Sequence, residues 1–206
     1  MLTLTLPIAS SLAVFAFVSS ITPGPNNAML LASGANFGFR ASLPHAAGVL
    51  FGFLGLVAIC GLGLGGVFKT YPVLHLALKW GGAAYLLWLA FKIGTAKGIG
   101  TKAAGARPMR FWEAVAFQAV NPKGWAMALG AVSTYVPPKP YLPNLIVAVL
   151  MFGIVGLPCT STWAAFGVGL RRFLDRPAVL RAFNVTMALL LVASLFPLFA
   201  ELGGKQ

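Results

Sequence analysis
The chain has 206 residues, of which 59% are hydrophobic and only 9% charged, with a mean hydropathy of +0.87. A soluble domain carries about a quarter charged residues, so a surface facing mainly water is excluded, whereas lipid accepts apolar side chains without penalty. Fifteen bases stand against three acids, for a net charge of +12. The bases lie between apolar segments, which points to anionic lipid and membrane topology and away from nucleic acid.

Crossing the hydrocarbon core takes about 20 apolar residues. Six segments of that kind follow one another: 7–37, 46–68, 73–93, 114–135, 142–170 and 179–200. The expected fold is an all-α integral membrane protein of six transmembrane helices. No Lys or Arg precedes Arg40, so the first segment lacks the positive flank of a secretory signal and reads as a retained helix. The first and fifth segments exceed one bilayer crossing, so each must tilt, bend or break. The second carries Gly48-xxx-Gly52 and Gly61-xxx-Gly65, a spacing that lets another helix approach closely. The sixth has no glycine and reads as a peripheral, lipid-facing helix.

Ten bases fall in the first, third and fifth loops: Arg40; Lys92, Lys97, Lys102, Arg107 and Arg110; Arg171, Arg172, Arg176 and Arg181. Lys69, Lys79, Lys139 and Lys205 lie on the other side. The positive-inside rule places the ten in the cytoplasm and both termini opposite. A reporter fused after Gly98 is expected to read cytoplasmic, and one at the C-terminus external.

The stretch from Gly94 to Arg110, rich in Gly, Ala and Lys, divides the chain into halves of three spans. The expected organisation is a repeat over 1–98, a basic cytoplasmic linker over 99–110 and a repeat over 111–206. With three spans each, the second half inserts upside down relative to the first. Thr22-Pro-Gly-Pro-Asn-Asn27 interrupts the first span and Asn121-Pro-Lys-Gly-Trp125 the fourth, the corresponding helices of the two halves. Cys60 and Cys159 repeat the offset between Pro23 and Pro122. Breaks at matching places in inverted repeats point to a transporter site near the midplane.

Each proline lacks an N–H and clashes with the carbonyl four residues back. Pro23 therefore frees the carbonyl of Ser19, Pro25 that of Ile21 and Pro122 that of Gln118. Free carbonyls need protein or a wet cavity, and they accept an ammonium group. Beyond Pro25 a new half-helix is expected with Asn26 or Asn27 near its cap, and its N–H groups and dipole favour a carboxylate. Simple kinking is the plainer reading of the same prolines. Lys123 sits mid-span, where a lysine costs about 2.5–3.5 kcal/mol on insertion scales. It either faces a cavity or snorkels to the interface. Gln118, one turn before Pro122, is placed toward the cavity. Glu113 reads as an interfacial charge facing Arg110. His45 and His75 read as interfacial, and Trp80, Trp88, Trp112, Trp125 and Trp163 include interface anchors. Cys60 and Cys159 form no metal-binding or redox pattern, and no nucleophile–base pair with a supporting acid is visible. Neither a metal, a cofactor nor an enzyme activity is expected.

At these motifs the chain resembles the LysE/RhtB superfamily of bacterial amino-acid exporters. The likeness rests on Thr22-Pro-Gly-Pro-Asn-Asn27, Gly38-Phe-Arg40, Ala47-Gly48, Trp80-Gly-Gly-Ala-Ala-Tyr-Leu86 with Trp88-Leu-Ala90, and Asn121-Pro-Lys123. Phe111-Trp112, Gln118 and Ser133-Thr-Tyr-Val-Pro137 make it most similar to the cysteine/O-acetylserine exporter branch. The resemblance implies efflux of small neutral amino acids or derivatives across the bacterial inner membrane, driven by the proton gradient. Homoserine, threonine or homoserine lactone are alternative substrates, and a homo-oligomer is left open. The implied binding region joins Thr22, Pro23, Gly24, Pro25, Asn26 and Asn27 to Gln118, Asn121, Pro122 and Lys123. No acid lies mid-span, so the candidates for proton coupling reduce to Lys123, a histidine, Glu113 or the substrate itself. The competing class is a membrane scaffold without a transport cycle, which has no use for polar breaks at mid-depth.

Overall fold
A computed structural model describes residues 5–64, 72–95, 107–174 and 176–193. Lys69, Lys97, Lys102, Lys205 and Gly65 lie outside the described residues, as do the side chains of His75, Lys79 and Lys92 and most of the basic linker. The described residues form α1 (Leu6–Ile21), α2 (Pro25–Phe37), α3 (Phe39–Ile59) with a π-helical turn (Cys60–Leu64), α4 (Pro72–Gly94), α5 (Phe111–Gln118), α6 (Pro122–Tyr135), α7 (Tyr141–Arg171) and α8 (Pro177–Ala193).

Proline sets most of these boundaries. Pro23 supplies no N–H and disfavours helical geometry at Thr22, so α1 stops at Ile21. Pro25 then opens α2 at the first helical position, where the missing N–H is no loss. The two helices meet at a bend of 55° and together are long and apolar enough for a broken span or a re-entrant loop. Pro122 opens α6 in the same way after α5 ends at Gln118. Two other helices, Phe39–Gly63 and Tyr141–Arg171, are each long and apolar enough to cross a bilayer.

Three edges differ from the sequence expectation. The second span begins at Phe39, ahead of residue 46, because Gly38 turns the chain at φ 87°, a region open to glycine. Pro44 is tolerated inside α3 because the carbonyl it frees, that of Arg40, lies at the helix start. The fifth span passes Pro158 unbroken for 31 residues, about 46 Å at helical rise, so it must tilt or protrude. The sixth begins at Pro177 and is described to Ala193.

Glycines set the tight contacts. A Cβ at Gly34 of α2 would overlap the Ala164 carbonyl of α7, and one at Gly167 of α7 would overlap the Leu31 carbonyl. A Cβ at Gly48 would overlap the Phe111 carbonyl, and one at Gly52 would press on Val115 and Gln118, so the Gly48-xxx-Gly52 pair does seat a helix, namely α5. α1 and α2 pack on α7, α5 and α6 pack on α3, and α3 packs on α7. The α1–α2 pair therefore lies against the long α7, and the α5–α6 pair against the long α3. Phe53 and Phe152 meet edge-on at 5.2 Å between them. α8 packs on α4 and α2, burying Leu180, Asn184, Met187 and Leu191 and exposing most of its other side chains, a peripheral position. Leu142, Ile146, Leu150, Ile154 and Leu157 form an exposed apolar stripe along α7, as a lipid-facing surface requires.

Candidate functional site
The first break exposes more backbone than its own helix can satisfy, and side chains make up the deficit. The Thr22 hydroxyl donates to the Ser19 carbonyl at 3.1 Å, and Trp163 Nε1 donates to the Ile21 carbonyl at 3.2 Å. Asn27 Nδ2 donates to the carbonyls of Ser20 at 2.8 Å and Thr22 at 2.7 Å. Two of the carbonyls freed by proline are thus satisfied by side chains. The third, of Gln118, accepts the Asn121 backbone N–H at 3.3 Å.

Lys123 closes the arrangement. Its ammonium donates to the Thr22 carbonyl at 2.7 Å, the Thr22 hydroxyl at 2.9 Å and the Pro23 carbonyl at 3.2 Å. Charge-assisted bonds are worth about 1.5–3 kcal/mol each, enough to offset the cost of a mid-span lysine. An ammonium does sit on the first break, and it is the protein's own. The carbonyls it holds are those of Thr22 and Pro23; the proline-freed carbonyls of Ser19, Ile21 and Gln118 are held instead by Thr22, Trp163 and Asn121. A second bridge runs beside it: Asn26 Nδ2 donates to Gln118 Oε1 at 2.9 Å, and Gln118 Nε2 donates back to Asn26 Oδ1 at 3.2 Å. Gln118 Nε2 also donates to the Ala114 carbonyl, and Asn121 Nδ2 to Gln118 Oε1. The two breaks therefore meet.

They meet at a cavity of about 60 Å³, room for a few waters or part of a small solute. The polar wall comes from both breaks, with Gly24, Pro25, Asn26 and Asn27 on one side and Asn121, Lys123 and Gly124 on the other. Ser19, Ser20 and Thr160 add hydroxyl-bearing residues, while Val49, Leu50, Phe53, Met127 and Gly156 form an apolar wall. Both α2 and α6 begin here, at Pro25 and Pro122, and neither has a side-chain cap. Their first N–H groups lack intrahelical partners, and both positive dipole ends lie at this cavity. Asn121 is buried, and its Oδ1 has no hydrogen-bond partner. One small cavity thus brings together two helix N-termini, an ammonium and an unpaired acceptor.

The profile of the LysE type translocators matches residues 17–198. The chain belongs to the LysE family. It is 34% identical over 193 residues to the cysteine/O-acetylserine efflux protein of Escherichia coli (strain K12), covering 92% of this chain and 96% of that protein. It matches the protein of the same description from Shigella sonnei (strain Ss046) to the same extent, and that from Shigella flexneri at 34% over 189 residues, 90% of this chain and 94% of that one. No solved structure matches significantly. As a LysE-family protein the chain is an amino-acid efflux transporter, a multi-pass inner-membrane protein and not an enzyme.

On this LysE-family chain the residues singled out from the sequence take distinct places. Gly24, Pro25, Asn26, Asn27, Asn121 and Lys123 line the cavity. Thr22 and Pro23 hold Lys123, Gln118 is buried behind Asn26, and Pro122 opens α6. The cap of α2 is Gly24, one residue before Pro25, and not an asparagine. Asn27 is instead the donor that folds back over the break. His45 is buried within α3, which begins earlier than hydropathy indicates. Glu113 pairs with the side chain of Arg107, with Nη1 to Oε2 at 2.8 Å, and meets Arg110 only through its backbone N–H at 2.8 Å. The Arg107 guanidinium, helped by that N–H, holds the Glu113 carboxyl down at about 2. Trp80, Trp88 and Trp112 are exposed, as interface anchors are. Sequence reasoning missed Ser19, Ser20, Thr160 and the apolar wall. The paired serines beside the first break were an available signal, whereas Val49, Leu50 and Phe53 are indistinguishable in sequence from ordinary helix core.

Proposed function
We propose that this protein exports small neutral amino acids or their derivatives, with O-acetylserine and cysteine the leading substrates, by a proton-driven cycle, and that it binds them between the two helix breaks. The observation that carries the reading is the convergence of two helix N-termini and the Lys123 ammonium on one cavity. That combination favours a carboxylate. The unpaired Oδ1 of buried Asn121 is an acceptor for the substrate ammonium. The small apolar wall of Val49, Leu50, Phe53 and Met127 takes a short side chain. The E. coli relative's description names cysteine and O-acetylserine, which supports that choice of substrates.

The architecture that goes with this reading is six spans in two inverted three-helix repeats, residues 1–98 and 111–206, joined by a basic cytoplasmic linker. The packing of each broken span on the other half's long helix supports it. Rocking of one half against the other opens the cavity alternately to each side, and the Lys123 bridge between the breaks is the contact that must yield.

Counterflow in proteoliposomes tests the function. Vesicles loaded with unlabelled O-acetylserine should take up labelled O-acetylserine transiently when diluted into tracer. Uptake with homoserine or threonine loading but none with O-acetylserine or cysteine would reassign the substrate. No uptake with any of these amino acids would favour a scaffold.

A further inference from the structure
Among the described acids, bases and histidines, His45 stands apart. It is only 2% exposed, and neither ring nitrogen has a hydrogen-bond partner. Buried polar groups in native proteins are almost always paired, so an orphan of this size calls for a physical reason. Packing alone is a poor one, because Phe or Leu fills such a site without two unsatisfied nitrogens.

Its register supplies the reason. Val49 lies one turn after His45 on α3 and Phe53 two turns after it, and both line the cavity. Positions i, i+4 and i+8 share one helix face. His45 thus lies on the cavity-lining face of α3, one turn beyond the wall, toward the end of the bundle that carries Arg40, Arg107 and Arg110. On α5, which packs against α3, the charged side chain is Glu113. The other titratable or charged side chains on the elements packed against α3 are Cys60 on the π-helical turn, Lys123 and Tyr135 on α6 and Tyr141, Cys159 and Arg171 on α7; α2 has none. Histidine is the side chain whose ordinary proton affinity lies between pH 5 and 8. A neutral imidazole offers one N–H and one lone pair, and here both stand ready for a partner.

We propose that His45 is the proton-binding residue of the export cycle. One proton adds to the free lone pair of the ring while the cavity faces outward, and the same proton leaves on the cytoplasmic side as substrate loads. No other bond is made or broken. The role rests on the export reading above, and the test separates the two.

With one proton exchanged per substrate, a pH gradient of one unit supports about tenfold accumulation. Wild-type proteoliposomes should reach that level with O-acetylserine, and should also show counterflow without a gradient. His45→Gln and His45→Asn keep a polar side chain that cannot take the proton. They should retain counterflow within about threefold while gradient-driven accumulation falls to about onefold. Accumulation at the wild-type level in either variant would overturn the proposal while leaving export intact. So would wild-type accumulation indifferent to the gradient. Absence of counterflow in the wild type would remove the export reading and the coupling role with it. If both variants fail to insert, ring-¹⁵N chemical shifts decide the matter, because His75→Gln leaves His45 as the sole histidine of the two. The ring in lipid nanodiscs with O-acetylserine should titrate between about pH 8 and 5. A ring that stays neutral across that range overturns the proposal.

Discussion

At the first break the chain leaves helical geometry for Thr22, Pro23 and Gly24, and the carbonyls of residues 19 to 23 all look outward for donors. At the second break the chain keeps turning. Ala119, Val120 and Asn121 donate to the carbonyls three residues back at 3.1, 3.1 and 3.3 Å, so little backbone is left over. The first break holds Pro23 and is followed by Pro25, whereas a single proline, Pro122, follows the second, and the difference follows from that count. The first break is an acceptor surface that depends on borrowed side chains. The second is nearly self-sufficient and contributes side chains instead: the Lys123 ammonium, and Asn121 with its unpaired oxygen. The two sites fit because they are unlike. A mere pair of kinks has no such complementarity.

The largest effect is expected at the bond between them. Lys123→Met keeps the apolar stem and removes the charge. At matched abundance it should lower efflux from preloaded vesicles by about 10- to 100-fold, the range of one charge-assisted interaction. Lys123→Arg should recover only part of the loss, because a planar fork does not replace a compact ammonium. Wild-type efflux by Lys123→Met would break the comparison outright.

Next comes the first break's dependence on donors. Asn27→Ala takes from the Ser20 carbonyl its side-chain donor and leaves the Thr22 carbonyl to Lys123 alone, in a buried setting. It should cost about 1–3 kcal/mol of stability, read as a lower unfolding temperature in detergent. The matching change at the second break should behave differently. Asn121→Ala removes an unpaired oxygen and one long bond, Nδ2 to Gln118 Oε1 at 3.3 Å, whose acceptor keeps Asn26, so its stability cost should be smaller than that of Asn27→Ala. Transport should suffer, with KM for O-acetylserine rising about tenfold or more, the low end of one hydrogen bond to a charged group. Equal losses of stability in the two variants would show that the breaks are alike after all.

The smallest effect lies at the outer end of the second broken span. Glu113 has its carboxyl affinity for protons depressed in the folded protein, from an ordinary 4.5 to about 2. A depressed acid contributes stability that is present above the ordinary value and lost as pH falls through the folded one. Glu113→Gln should therefore unfold slightly below the wild type at pH 7, and the difference should shrink from about pH 4.5 downward. The ion pair is exposed on both sides, so solvent screening keeps the effect small. A difference that persists undiminished at pH 2 would assign it to something other than the charge.

How much of this was legible in the chain depends on whether a residue's role is local. Pro23, Pro25 and Pro122 break helices wherever they stand, and the mid-span charge of Lys123 demands partners in any fold. Those features follow from covalent geometry and solvation, and they were readable in order along the chain. The edges of α3 were not, because Gly38 and Pro44 admit either a loop or a helix start, and the packing on α5 through Gly48 and Gly52 selects the helix.

The sequence by itself determined a membrane protein with long apolar helices, two interrupted spans and an ammonium near one interruption, because hydropathy and proline act through neighbours in the chain. Only the tertiary structure decided which carbonyls that ammonium occupies, that Asn26 and Gln118 bind each other across 92 residues, and that His45 is buried without a partner. Those outcomes depend on how closely helices distant in sequence approach. That distance is set by glycine contacts such as Gly34 on Ala164 and Gly48 on Phe111, which no local pattern specifies.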